Sequence, residues 1–115
     1  MPLEPGDWSI NGNGFEGTLK LAGVDAQGRV SGSVFGDPIT GFWDEDAQKL
    51  TFVRGVNPTD PAKVQLYRGY QFGNEDENRT DFIWTLAGSF EALGGTGATA
   101  NRTVYGWFAR LQQIG

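Results

Sequence analysis

The chain has neither cysteine nor histidine among its 115 residues. Histidine is the commonest general base and metal ligand in proteins, and cysteine supplies thiolate nucleophiles, zinc–thiolate clusters and disulfides. Most familiar catalytic sites cannot be built without them. We therefore predict a protein that is not an enzyme and that has no metal site and no cofactor. A carboxylate pair that includes Asp44 or Glu45 is the catalytic arrangement that remains open.

Basic residues are also scarce, with 9 Lys and Arg against 14 Asp and Glu and a formal net charge of −5. No basic cluster offers a binding surface to phosphates, so we expect neither nucleic acid nor a membrane as a partner. No stretch is as apolar and long as a membrane span, and the opening MPLEPGDW lacks the features of a secretory signal. We expect a soluble protein in the cytoplasm.

Glycine and aromatic residues are abundant instead, with 18 Gly, 8 Phe and 4 Trp. Together with frequent Val, Ile, Thr and Tyr, they predict an antiparallel all-β protein. The length suits a single domain that covers residues 1–115. Eight strand-like runs follow one another between turn residues, at a spacing typical of a barrel or a sandwich. The predicted strands are Asp7–Asn11, Phe15–Val24, Arg29–Phe35, Pro38–Trp43, Lys49–Val56, Lys63–Phe72, Thr80–Phe90 and Thr103–Leu111.

Short connections join the first strands, at Asn11–Gly14, Asp25–Gly28 and Gly36–Pro38. Connections this short favour hairpins between consecutive strands. A meander of eight such strands closes most simply on itself. We therefore predict an eight-stranded antiparallel up-and-down β-barrel.

Period-two alternation predicts which side chains face the barrel interior. Large polar or aromatic residues in the inward phase are the candidate ligand-binding residues, and these are Trp43, Arg54, Arg68, Tyr70 and Trp84. The glycines that share this phase are Gly17, Gly32, Gly41 and Gly106, and they leave room inside. An arginine inside a barrel needs a partner. That partner is either a structural carboxylate or a ligand, and the sequence leaves both interpretations open.

Five apolar residues fall on the outward face, mainly on the later strands: Phe42, Tyr67, Ile83, Tyr105 and Trp107. Strands that are apolar on both faces are usually covered on both. We therefore take these residues as a candidate interface of a homo-oligomer, either a dimer or a tetramer.

Several short segments resemble the avidin and streptavidin family, in the family's order. The first is Trp8, which is followed by a glycine turn and Phe15. The others are Val24–Ser33, Thr40–Asp44, Tyr67–Tyr70, Ile83–Leu86 and Phe108–Leu111. The resemblance implies the same barrel, in which Trp8 packs across Arg110 and closes one end.

The biotin-binding residues of that family have no counterparts in this chain. Apolar residues or glycine stand where the family carries its hydrogen-bonding side chains, at Ile10, Gly14, Val34, Gly36 and Gly106. Of the family's tryptophan walls, Trp84 remains. The resemblance therefore implies an avidin-like barrel that does not bind biotin, because a site without its polar groups loses most of its discrimination.

Two functions follow from these patterns. In the first, the barrel binds a small amphipathic or anionic ligand at its open end. In the second, side chains fill the interior and the barrel serves as a protein-interaction or oligomerisation module, for example of an inhibitor-like kind.

Overall fold

A computed structural model describes residues 1–55, 64–75, 81–93 and 104–114. These residues form eight antiparallel strands in a closed barrel, in which every strand pairs with its sequence neighbours and β1 pairs with β8. The strands are β1 Gly6–Gly12, β2 Phe15–Val24, β3 Arg29–Val34, β4 Asp37–Asp44, β5 Lys49–Gly55, β6 Val64–Glu75, β7 Asp81–Leu93 and β8 Val104–Ile114. The predicted up-and-down barrel is thus confirmed. The predicted strand ends at Val56, Lys63, Thr80 and Thr103 lie outside the described residues. Within the described ranges, the structure contains no helix of the length and apolar character needed to span a membrane.

Two tight hairpins stand side by side at one end of the barrel. The β1–β2 hairpin turns through Asn13 and Gly14, with φ angles of 51° and 88°, and the β3–β4 hairpin turns through Phe35 and Gly36, with φ angles of 50° and 83°. Positive φ at both positions of a two-residue loop is typical of turns whose twist matches that of the strands. Asn and Gly adopt this conformation readily, whereas a bulky residue such as Phe35 does so at a cost.

The barrel interior is filled by apolar side chains. Trp8, Trp43 and Trp84 lie towards the end where β1 begins. In the other half, the ring of Tyr67 stacks between Phe52 and Phe90, with ring centroids 4.6 and 4.7 Å away. Aromatic pairs at these separations add to the stability that burial provides. The buried apolar residues are Leu3, Trp8, Ile10, Leu19, Leu21, Val30, Val34, Ile39, Trp43, Leu50, Phe52, Tyr67, Trp84, Leu86, Phe90, Trp107 and Ala109.

The predicted orientation of the side chains is wrong on β6 and β8. On these strands, residues predicted to face the interior point outward, and residues predicted to face outward are buried. Tyr67 and Trp107 are buried, whereas Arg68, Tyr70 and Arg110 point outward. Both faces of these two strands carry large residues, so alternation alone does not distinguish them. Packing decides the phase, because the ring of Trp107 lies against Gly69, where a side chain would collide with it. The indole N–H of Trp107 also donates to two backbone carbonyl oxygens, each at 3.1 Å.

Two further orientation predictions, on β2 and β8, are corrected by the structure. Alternation on β2 predicts Phe15 inside, in phase with the buried Leu19 and Leu21, but Phe15 is exposed at the start of the strand. Gly106 was also expected inside, but on β8 it lies in the exposed phase that alternates with Trp107.

The N-terminal segment, residues 1–5, covers the end of the barrel where β1 begins. The side chain of Leu3 is buried in the core. The fully buried Trp8 donates its indole N–H to the carbonyl oxygen of Glu4 at 3.0 Å. The predicted packing of Trp8 across Arg110 is wrong, because Arg110 is exposed and its guanidinium lies 5.7 Å from the ring centroid of Phe108. Residues 1–5, rather than Arg110, close this end.

Candidate functional site

The opposite end of the barrel, which we call the mouth, contains a cavity of about 440 Å³. This end carries the β1–β2 and β3–β4 hairpins, because every odd-numbered hairpin of an up-and-down barrel turns at the same end. Aromatic rings form most of its walls and polar side chains lie between them. The lining residues are Gly12, Asn13, Phe15, Phe35, Arg54, Gln65, Tyr67, Phe90 and Tyr105.

Among the described residues that line the mouth, Arg54 is the cation, and Asp37 neutralises it. Its Nη2 lies 2.7 Å from Oδ2 of Asp37, and its Nε donates to the same oxygen at 2.9 Å. Both side chains are largely shielded from solvent, at 20% and 26% exposure. Hydrogen bonds of this kind, in which both partners are charged, are short and comparatively strong. The structural-carboxylate interpretation of Arg54 is therefore the one that the geometry supports.

Gln65 joins Arg54 to Tyr67. Its Oε1 accepts a hydrogen bond from Nη1 of Arg54 at 3.2 Å and another from the Tyr67 hydroxyl at 2.8 Å. The carbonyl end of this amide is thus fully used, whereas its Nε2 has no hydrogen-bond partner among the described residues. An amide nitrogen can donate two hydrogen bonds. Gln65 therefore offers a donor to a molecule in the mouth.

Burial raises the pKa of Tyr67 above its ordinary value of 10.0, although the neighbouring Arg54 opposes the shift. Desolvation disfavours the phenolate because it is the charged form. The hydroxyl consequently stays protonated at neutral pH and keeps its hydrogen bond to Gln65.

Phe35 forms a wall of the mouth from a strained position in the β3–β4 turn. Its ring packs into the space that Gly17 leaves, where any side chain would collide with it. The guanidinium of Arg54 lies 5.1 Å from the centroid of the same ring. A cation above an aromatic face is attracted to it electrostatically. Contacts with Gly17 and Arg54 thus compensate for the positive φ of Phe35.

The five residues predicted to bind a ligand do not meet. Arg54 lies in the mouth, whereas Trp43 and Trp84 are buried near the other end. Tyr70 is exposed outside the barrel, and Arg68 is paired there with Glu91 at 3.7 Å. These five residues therefore do not share a pocket, because Arg68 and Tyr70 point outward from β6.

The predicted interface residues also separate. Phe42 and Tyr105 are exposed and Ile83 is half-buried, but Tyr67 and Trp107 are inside the barrel. The last two cannot form an outer surface. Besides Tyr105, the exposed aromatic residues of β6 and β8 in the described part of the chain are Tyr70, Phe72 and Phe108.

Sequence patterns did not identify Phe35, Gln65 and Phe90 as residues of the mouth. The order of the strands was an available signal. In an up-and-down barrel, the turns at Asn13 and Phe35 lie at the same end of the barrel as the last residues of β5.

The two acidic residues considered for catalysis lie at the end opposite the mouth. Asp44 accepts hydrogen bonds from the backbone of the β4–β5 turn, each at 3.1 Å, and Glu45 accepts one from Gln48 at 2.6 Å. Within the described ranges, no three His, Cys, Asp or Glu side chains gather as a potential metal site.

The fold and the mouth together define a class of protein: a small closed β-barrel with an aromatic cavity at one end. Its eight-stranded antiparallel meander fits the avidin-like fold in general. Comparison of the chain with protein-family models, with curated proteins and with solved structures found no match.

Proposed function

We propose that this chain is a divergent avidin-like barrel that binds a small amphipathic molecule in its mouth, without catalysing a reaction. The observation that supports this role is the 440 Å³ cavity, in which aromatic walls surround hydrogen-bonding side chains. Small-ligand sites are commonly concave and largely apolar, with a few polar groups that fix the orientation of the ligand.

The charges in the mouth favour an uncharged ligand over an anion. The carboxylate of Asp37 already neutralises Arg54, so an incoming anion would have to compete with it. Among the described residues, the amide nitrogen of Gln65 is a neutral donor without a partner, and it suits a carbonyl, ether or hydroxyl oxygen. The rings of Phe35 and Phe90 suit a flat apolar body. The proposed ligand is therefore a planar, uncharged molecule with a hydrogen-bond acceptor.

Biotin does not fit this description of the site. Ile10 and Val34 are buried apolar residues, and Gly14 and Gly36 are turn glycines with positive φ. None of these positions offers a side-chain hydrogen bond to a ureido ring. We expect no measurable heat when biotin is titrated into the protein.

The test is a fluorescence titration with 6-propionyl-2-(dimethylamino)naphthalene, which is a flat, uncharged dye whose ketone oxygen can accept a hydrogen bond from Nε2 of Gln65. We expect saturable binding at one site. Gln65→Leu should weaken it roughly 2- to 13-fold, because a hydrogen bond contributes roughly 0.5–1.5 kcal/mol. The matched control is Gln112→Leu, which makes the same change at an exposed position of β8 distant from the mouth. No saturation, or equal losses in the two variants, would contradict the proposal.

A second candidate function, self-association, is favoured by the outer surface of β6, β7 and β8. Tyr70, Ala87 and Phe108 lie in one row across these strands, and Phe72 lies two residues from Tyr70 on the same face. Tyr70, Phe72 and Phe108 are 47%, 49% and 44% exposed. Contiguous exposed apolar residues of this kind often mark protein interfaces.

Sedimentation velocity tests this second function. We expect the wild-type chain to form a dimer or tetramer at micromolar concentration, and the double variant Tyr70→Ser with Phe108→Ser to be a monomer. Phe42→Ser is the control, because Phe42 is an equally exposed aromatic residue on β4. A monomeric wild-type protein would refute self-association through this surface.

A further inference from the structure

The end of the barrel opposite the mouth holds the backbone of residues 2–4 through three side-chain hydrogen bonds. Nε2 of Gln71 donates to the carbonyl oxygen of Pro2 at 3.1 Å, and Oε1 of Gln71 accepts from the N–H of Glu4 at 3.4 Å. The indole N–H of Trp8 donates to the carbonyl oxygen of Glu4 at 3.0 Å. Between these contacts, the side chain of Leu3 is buried in the core with 3% exposure. One amide thus binds the peptide groups on both sides of a leucine.

Gln71 is held in place by the barrel itself. It is the buried polar residue of the described part of the chain, with 3% exposure. Its backbone N–H donates to the carbonyl oxygen of Gln48 at 2.9 Å, and its Nε2 also reaches Oε1 of Gln48 at 3.4 Å. Gln48 is in turn bonded to Glu45 in the β4–β5 turn, whose carboxylate also accepts from the N-terminal ammonium of Met1 at 3.2 Å. Gln71 is therefore held by the barrel as well as by the segment that it binds.

The present occupant leaves a donor at this end unsatisfied. The Nε1 atom of Trp43 is buried and has no hydrogen-bond partner among the described residues, and Trp43 belongs to the same core cluster as Leu3 and Trp8. Buried donors are nearly always paired, because an unpaired one loses its hydrogen bond to water without replacement. Residues 2–4 thus close this end of the barrel without pairing the indole N–H of Trp43.

We propose that this end of the barrel is a peptide-binding site, which the chain's own Pro2-Leu3-Glu4 occupies and which can take an extended leucine-containing peptide from another molecule. The hydrogen bonds from Gln71 and Trp8 are made to main-chain atoms, so they place no demand on the neighbouring side chains. Specificity comes from the buried leucine. The segment competes for the site at the high effective concentration of a tethered ligand. This proposal is independent of ligand binding at the mouth.

The test uses the full-length chain with Leu3→Ser, in which the tethered occupant has lost its anchor. Acetyl-Pro-Leu-Glu-Pro-amide is titrated while the indole N–H signals of Trp8 and Trp43 are followed by NMR. We expect saturable shifts of both signals. Binding should be at least about tenfold weaker for the wild-type chain, where the segment competes, and for the matched peptide with serine in place of leucine. The absence of saturable shifts, or an equal response to the two peptides, would overturn the proposal.

Two further measurements keep the proposal testable if Leu3→Ser does not fold. In the wild-type chain, hydrogen exchange at the Glu4 amide should be faster than at the Ile10 amide within β1. The reason is that residues 2–4 must be able to leave the site while the barrel stays folded. Equal rates would mean that it leaves only on global unfolding and would overturn the proposal. Gln71→Leu should abolish peptide binding while leaving dye binding at the mouth unchanged. Undiminished peptide binding in that variant would also overturn it.

Discussion

Replacing Asp37 by asparagine should convert the mouth from a site for uncharged molecules into one that prefers anions. The amide has nearly the shape of the carboxylate but no charge, so Arg54 loses the partner that lies 2.7 Å away and gains a free positive charge. A hydrogen bond to a charged group contributes about 1.5–3 kcal/mol. Partial exposure of the pair reduces this contribution through solvent screening, to about 1–2 kcal/mol. The affinity for an anion should then rise roughly 5- to 30-fold.

The assay compares two dyes that differ by one sulfonate group, 8-anilino-1-naphthalenesulfonate and N-phenyl-1-naphthylamine. Asp37→Asn should strengthen binding of the sulfonate by the factor above and change binding of the uncharged dye less than about threefold. Asp25→Asn is the matched control, because Asp25 is also paired with an arginine, Arg29 at 2.9 Å, but in the β2–β3 turn away from the mouth. Equal changes for the two dyes, or no gain for the sulfonate, would refute the assignment of Arg54 as a neutralised cation.

Three further predictions concern stability and titration. Trp8→Ala should lower the free energy of unfolding in urea by about 3–5 kcal/mol, because Trp8 is fully buried; a loss below about 1 kcal/mol would show that its packing matters little. Gly41→Ala should cost about 1–3 kcal/mol, since the new Cβ would lie 2.7 Å from the Cβ of Phe52. The control is Gly106→Ala, whose new Cβ meets no atom of the described residues within 4 Å, and a similar loss there would contradict the packing argument. The difference in alkaline absorbance between wild type and Tyr67→Phe should show a phenol that ionises above 10.0. Because the pKa of this phenol is raised in the folded state, the stability that it contributes is present below its ordinary pKa and is lost as the pH rises through the folded value. Ionisation of Tyr67 at or below the ordinary pKa would contradict its burial.

The barrel itself could be predicted because its signals are local. Turn residues such as Asn13, Gly14 and Gly36 mark the tight hairpins, and alternation on β1 to β5 places residues such as Trp8 and Val30 inside. On these strands one face is predominantly polar, so the pattern has a single interpretation.

The phase of β6 and β8 could not be predicted in the same way. Both faces of β6 carry a tyrosine, Tyr67 inside and Tyr70 outside, and both faces of β8 carry an aromatic residue, Trp107 inside and Phe108 outside. Their orientation depends on contacts across strands, such as the stacking of Tyr67 on Phe52. Such contacts are not encoded in the period of a single strand.

The two ends of the barrel depend on contacts that are still more distant in sequence. Asp37 and Arg54 are 17 residues apart, and Gln71 lies 69 residues from Pro2. Alternation predicts that a residue points inward, but it does not give its depth or its partner. The first four residues also have no periodic pattern, so their role in closing the barrel is visible only in the structure.

Binding of a small planar ligand in the mouth is tested most directly by a crystal structure of the protein with 6-propionyl-2-(dimethylamino)naphthalene. We expect one dye molecule in the mouth, with its rings against Phe35 and Phe90 and its ketone oxygen near Nε2 of Gln65. An empty mouth, or a dye bound only to the outer aromatic surface of β6 and β8, would contradict it.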